Sequence, residues 1–176
     1  MGMMFADANV QNELITIKSP TVMALVVEKL GLNERYMTKK GLKPLELYHN
    51  SHILVSFLHP ETVQGVAIEF FLKDEQGVVI KKIKKGEDEW EDKIECGYDS
   101  VVQTPVGELV VSKTSFADPK YNKTTINYSR SSISGAAVAY AKRLKVALTD
   151  EEATAIDLQF TDPLSKKASD ILYGVI

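Results

Sequence analysis

Three histidines, His49, His52 and His59, fall within eleven residues and are the first place to look for a metal. A zinc centre needs imidazole nitrogens converging at about 2.0–2.1 Å from the ion. His49 and His52 are three apart, a spacing that sends their side chains to opposite faces of an extended segment, and no cysteine lies near them. They read as surface or loop histidines. Cys96 is the sole thiol. It becomes a nucleophile only beside an imidazole or a helix N-terminus that lowers its pKa, whereas its neighbours Glu95 and Asp99 act in the opposite direction. A passive thiol is expected. Ser129-Arg130-Ser131-Ser132 has the composition of an anion-binding or phosphorylatable run, yet a serine placed before a helical pattern is accounted for by capping.

The acidic groups Glu87-Asp88-Glu89 and Glu91-Asp92 offer oxygens to a hard cation but lack the ordered spacing and glycine of a calcium loop. They read as a solvated acidic face. Trp90 and Tyr98 have the ring surface to stack on a sugar. The basic residues Arg35, Lys39, Lys40 and Lys43 lack the interleaved aromatics of a nucleic-acid surface. No phosphate-binding glycine loop, dinucleotide fingerprint, nucleophile elbow or H-E-x-x-H motif occurs anywhere in the chain. No catalytic, cofactor-binding or metal-binding residue is therefore assigned, and the chain reads as non-enzymatic.

The composition bounds the possibilities further. A chain of 176 residues can fill one good core, or a core with a subdomain. A net charge of −3 gives no global pull toward nucleic acid or anionic lipid. One cysteine permits no internal disulfide, and no run approaches the roughly eighteen apolar residues of a membrane span.

The elements that must position these groups can be read from periodicity. Thr154, Ile156, Leu158 and Phe160 alternate with polar residues as a half-buried strand. Asp162-Pro163 then predicts a helix start, with Leu164, Ala168, Ile171, Leu172 and Val175 on one face. The N-terminal region is expected to use the same device: a loose lead-in over 1–12, a strand at Leu14–Ile17, a Ser19-Pro20 corner, and a helix burying Met23, Val26, Val27 and Leu30 before Gly31. Between them, 33–47 reads as irregular. Strands are expected at Ile53–Phe57, at Val66–Leu72 and Val78–Ile83 around the Asp74–Gly77 turn, at 101–111 around Thr104–Gly107, at Thr125–Ser129 and at 145–148. Residues 84–93 read as a solvated loop or edge strand, and 117–123 as loop. Ser132 should cap an alanine-rich helix, and Thr149–Glu151 should turn the chain into its last strand. The expected architecture is α+β, a mixed or antiparallel sheet packed with the N- and C-terminal helices, in one domain over 1–176 with an irregular strand-rich insert at about 33–123. The helix ending at Ile176 lacks a closing cap and a polar tail, and is expected to continue past that residue.

The sequence from Ile17-Lys18-Ser19-Pro20-Thr21-Val22-Met23 through Val26-Val27-Glu28-Lys29-Leu30-Gly31-Leu32-Asn33 resembles the segment after the first membrane span of bacterial chain-length determinants. These are the Wzz-type polysaccharide copolymerases and the related Wzc-type tyrosine autokinases. Glu46-Leu47-Tyr48, Asn50-Ser51 and Thr104-Pro105-Val106-Gly107-Glu108-Leu109-Val110-Val111 are similar to later landmarks. So are Ala153-Thr154-Ala155-Ile156-Asp157-Leu158, Asp162-Pro163 and Lys167-Ala168-Ser169-Asp170-Ile171-Leu172. Residues 60–100 are the least characteristic. The resemblance implies a Wzz-like base domain at the periplasmic face of the inner membrane, carried between two membrane spans that lie outside this sequence. It also implies self-association into a ring, and work beside the polysaccharide polymerase or export machinery on capsular or exopolysaccharide. Kinase relatives add a cytoplasmic domain, of which this sequence holds no Walker motif and no tyrosine cluster. A second expectation, a carbohydrate-binding module, would grip the polymer through Trp90, Tyr98 and the loop Glu87–Asp92.

Overall fold

The hairpin read from alternation is the centre of the largest sheet. In the computed structural model, which describes residues 2–148 and 155–176, β4 (Val66–Leu72) and β5 (Gly77–Lys85) pair antiparallel with a bulge between Glu69 and Phe70. Around them lie β1 (Glu34–Lys40), β2 (Lys43–Glu46), β6 (Asp88–Trp90), β7 (Ile94–Gly97) and β10 (Thr125–Arg130), in the order β2-β1-β10-β4-β5-β6 with β7 also on β5. A second, three-stranded sheet runs β3 (Ile53–Phe57), β9 (Gly107–Lys113), β8 (Val101–Thr104). The even positions of β4 (Val66, Ile68, Phe70, Leu72) and the odd positions of β3 (Ile53, Val55, Phe57) all point into one core, as period-two burial requires. Tyr36 stitches the two sheets together: its buried hydroxyl accepts a hydrogen bond from the Val55 amide at 3.0 Å. These elements form one of two units, Glu34–Ser131.

The other unit joins Met1–Asn33 to Ser132–Ile176. It contains α1 (Gly2–Ile17), α2 (Pro20–Leu30), α3 (Ile133–Ala141), α4 (Ser165–Val175) and a two-stranded antiparallel ladder of β11 (Leu144–Leu148) with β12 (Ile156–Phe160). Ser19 caps α2 by accepting from the Thr21 amide, Pro20 opens the helix where a missing N–H costs nothing, and Gly31 closes it. Met23, Val26 and Val27 are buried, each contributing about 1.5–3 kcal/mol if fully withdrawn from water. Ser132 caps α3 through the Gly135 amide at 3.0 Å. The small residues Ala136 and Ala137 are buried on α3, which packs against α2. Helix α4 also reaches α2, where a Cβ built on Gly174 would stand 3.0 Å from a Val26 methyl.

The expected α+β architecture, a mixed or antiparallel sheet packed with the terminal helices as a Wzz-like base, is corrected. Strands take 41% against 30% for helices, and among the described residues every strand pairing is antiparallel. Within the strand-rich unit the large sheet buries its face against the second sheet. Two local expectations also fail. Residues 2–17 are helical instead of a lead-in and strand. Leu14 and Ile17, three apart, share a half-buried helical face, while Ile15 is exposed; a strand would have put Ile15 and Ile17 together. Residues 34–46, expected to be irregular, form the β1–β2 hairpin.

At the C-terminus, α4 starts two residues later than expected, with Asp162 accepting from the Leu164 amide at 2.9 Å in the turn ahead of it. Its buried face is Lys167, Ile171 and Val175. Phe160, Leu158 and Ile156 are the half-buried side of β12, as their alternation implies. The turn expected at Thr149–Glu151 lies outside the described residues, as does Thr154. Among the described residues no helix is long and apolar enough to cross a membrane.

Candidate functional site

The sequence-singled residues separate once placed. His49 is exposed and stacks on Tyr48 with ring centroids 3.8 Å apart. His59 is exposed beside Glu61. His52 is buried, stacks on Tyr121 at 3.9 Å, and puts Nδ1 2.7 Å from the Phe116 carbonyl oxygen. A carbonyl can only accept, so Nδ1 carries the proton. Among the described residues no three His, Cys, Asp or Glu side chains converge as metal ligands. Cys96 is buried in β7, where burial pushes its thiol up from the ordinary value; a thiol so placed is a poor nucleophile.

Several charges in the other runs are paired internally. Arg130 pairs with Glu34 and donates to the carbonyls of Val63 at 3.0 Å and Pro60 at 3.2 Å, pinning the 60–63 turn to β10. Burial raises the Glu34 carboxyl against that pairing. Glu89 is held by Lys82 and Lys84, whose hydrogen bonds lower it to about 2. Trp90 and Tyr98 both pack partly against the core. Trp90 stands across from Ile83, while Tyr98 carries the Lys113 ammonium 5.0 Å from its ring centre.

One cleft of about 500 Å³ stands out in the strand-rich unit, lined from β1–β2, the 47–52 segment and the 116–124 loop. Its volume lies within the range of small-ligand sites. Each wall has a local cause. On one side Lys40 and Lys43 pair across a two-residue loop, and Gly41 takes φ 64° at the first loop position, which a type II′ hairpin demands. That hairpin lifts Lys39, Lys40 and Leu45 onto the rim. On the other side the 114–124 loop is tied down by its own side chains. Thr114 donates to the Ser51 carbonyl at 2.5 Å, Asp118 accepts from the Lys120 amide at 2.9 Å, and Thr124 donates to the Tyr121 carbonyl at 2.6 Å. With those bonds made, Phe116 stays 48% exposed over the cleft.

The electrostatics of the cleft are one-sided. Asp118 is its single carboxylate, and the Lys120 ammonium at 2.7 Å holds it below the usual carboxylate range. Lys39 and Lys40 have no acid within ion-pair distance among the described residues. Asn50, whose side-chain amide is both a donor and an acceptor, also lines the cleft. The signals for this site were present in Lys39-Lys40 and Phe116, but nothing in the sequence joined residues some eighty positions apart.

No family model and no curated protein sequence matches this chain.

Proposed function

We propose that the chain is a non-enzymatic, extracytoplasmic assembly domain of a membrane-anchored polysaccharide copolymerase. It would act in chain-length control or export of capsular or exopolysaccharide at the periplasmic face of the bacterial inner membrane. The observation that supports this reading best is the joining of the two chain ends in one unit, where α4 meets α2. A body that gathers both of its ends suits a domain held at two neighbouring membrane anchors. The helix corner at Ser19-Pro20 and the buried Met23, Val26 and Val27 are among the residues that carry the resemblance to chain-length determinants. Copies confined to a membrane reach effective concentrations at which weak lateral contacts close a ring. The isolated chain is accordingly expected to be monomeric or weakly associating, with the polymerase or export machinery as its further partner.

Two measurements test the reading. The gene extended on both sides of this sequence is expected to encode an apolar run of about eighteen or more residues before and after it, and a downstream phosphate-binding loop would mark the kinase branch. In cells, deleting the gene is expected to change the size distribution of surface polysaccharide. Hydrophilic sequence on both sides, together with an unchanged size distribution, overturns the assignment.

A further inference from the structure

We propose that the cleft between the β1–β2 hairpin and the 116–124 loop binds an anionic sugar unit, of the uronic-acid kind, in an extended polysaccharide. This deepens the polysaccharide reading above and rests on it for the choice of a sugar over other anions. Three features carry it. Phe116 offers an aromatic face to solvent, being 48% exposed while its own carbonyl is fixed by His52. The face of such a ring is electron-rich, and the C–H bonds on one side of a pyranose are weakly positive, so the two surfaces match in shape and charge. Lys39 and Lys40 line the β1–β2 side of the cleft, and neither is paired to an acid among the described residues. Asn50 adds an amide that can both give and take a hydrogen bond with ring hydroxyls.

The site is locally basic on a chain whose net charge is −3. Attraction across more than about 8 Å is screened at physiological salt, so this local excess governs what enters. A neutral sugar meets the Phe116 face but leaves Lys39 and Lys40 unmatched. An acidic peptide meets the lysines without needing the aromatic face. A carboxylated sugar uses both walls.

The 176-residue chain labelled with ¹⁵N, titrated with tri-galacturonate, is expected to show saturable amide shifts confined to 38–52 and 114–124. A Kd of ~1 mM or tighter is expected, weakening as salt rises. Maltotriose, a neutral α-1,4-linked trisaccharide, should bind at least about tenfold more weakly, as should tri-galacturonate to Phe116→Ala and to Lys39→Gln/Lys40→Gln. All of these substitutions are at exposed positions, and wild-type amide dispersion elsewhere in each spectrum checks that they fold. Equal binding of maltotriose, shifts mapping outside the cleft, or no shift at 10-fold the expected Kd overturns the proposal. Hexaglutamate acting on the same amides with no loss in Phe116→Ala would do so as well, pointing to an acidic protein partner. None of those failures alters the sequence flanking the gene, so the assembly reading stands or falls by its own test.

Discussion

Asp162 is the residue whose removal should most sharply separate the two units. Its side chain is 1% exposed, and that of Lys167 3%. One carboxylate oxygen takes Arg143 Nη2 at 2.8 Å and Lys167 Nζ at 3.3 Å, and the other takes the Leu164 amide at 2.9 Å. Arg143 in turn lies 4.7 Å from the centre of the Phe160 ring and donates to the Thr161 carbonyl at 2.5 Å. One carboxylate thus fixes the corner from β12 into α4. Asp162→Ala removes a backbone hydrogen bond contributing about 1 kcal/mol and strips a buried ammonium of this countercharge. Breaking buried pairs costs about 3–5 kcal/mol; Arg143 is partly exposed and can turn to water, so the lower end, ~3 kcal/mol, is expected for the sum. With a urea dependence of about 1–3 kcal/mol/M, the midpoint should fall by roughly 1–3 M.

The two probes needed are built into the chain. All four α-helices described lie in the unit of the two chain ends, whereas the single Trp90 lies in the strand-rich unit. Ellipticity at 222 nm should follow the first and tryptophan fluorescence the second. The loss should appear in the 222 nm transition, and Asp162→Asn, which keeps an oxygen for Leu164, should lose less. The Asp162 carboxyl sits below its ordinary value despite burial, because the Leu164 amide, Arg143 and Lys167 favour its charged form. A depressed carboxyl contributes stability that is present above its unfolded pKa of about 3.9 and fades as pH falls through the lower folded value. The gap between wild type and variant should therefore close in acid. A 222 nm midpoint unmoved at neutral pH refutes the reasoning.

Gly77→Ala would drive a methyl into the Cys96 carbonyl oxygen, a backbone atom that cannot yield without moving β7. A loss of about 1–3 kcal/mol is expected, with Cys96 becoming reactive toward a thiol reagent; wild-type reactivity would show that β7 had not moved. Glu89 should titrate near 2 by side-chain NMR, held down by Lys82 and Lys84. In Lys82→Met it should move up toward the usual value of about 4.3. Because the folded value is depressed, the charge contact is complete above pH ~4.3 and lost as pH falls toward 2; an inflection above 4 in the wild type would show that the contact does not persist in solution.

Local rules were legible wherever one residue type had one reason to be where it is. Ser19-Pro20, Ser132 and Gly31 marked helix limits correctly, because each satisfies or tolerates a backbone group that no other nearby residue can. The β4–β5 hairpin and β12 were legible because period-two burial leaves a strong trace. Residues 2–17 and 34–46 misled for a shared reason. Leu14, Ile15 and Ile17 are too few to distinguish a helical face from a strand, and the lysines of β1 and β2 mask an edge hairpin whose side chains are mostly exposed. The architecture was misjudged at a different level. That the β4 face would be covered by Ile53, Val55, Leu109 and Val111 depends on which distant segments pair, and alternation within a strand is silent on its partner.

The cleft shows the same limit acting on function. Its lysines and its aromatic were visible as residue types but had no visible relation, since the β1–β2 hairpin meets the 116–124 loop only once β1 pairs with β10. That pairing is antiparallel, running from Glu34 opposite Arg130 to Met37 opposite Asn127. Continued past Met37, the register sets Thr38 opposite Ile126, Lys39 opposite Thr125 and Lys40 opposite Thr124, with the Thr38 hydroxyl donating to the Thr125 carbonyl at 3.0 Å. A shift of one residue in that register would turn Tyr36 out of the core and reverse the faces of the lysines. The buried Tyr36 hydroxyl, bonded to Val55, therefore holds the register from which the cleft is built as well as the core.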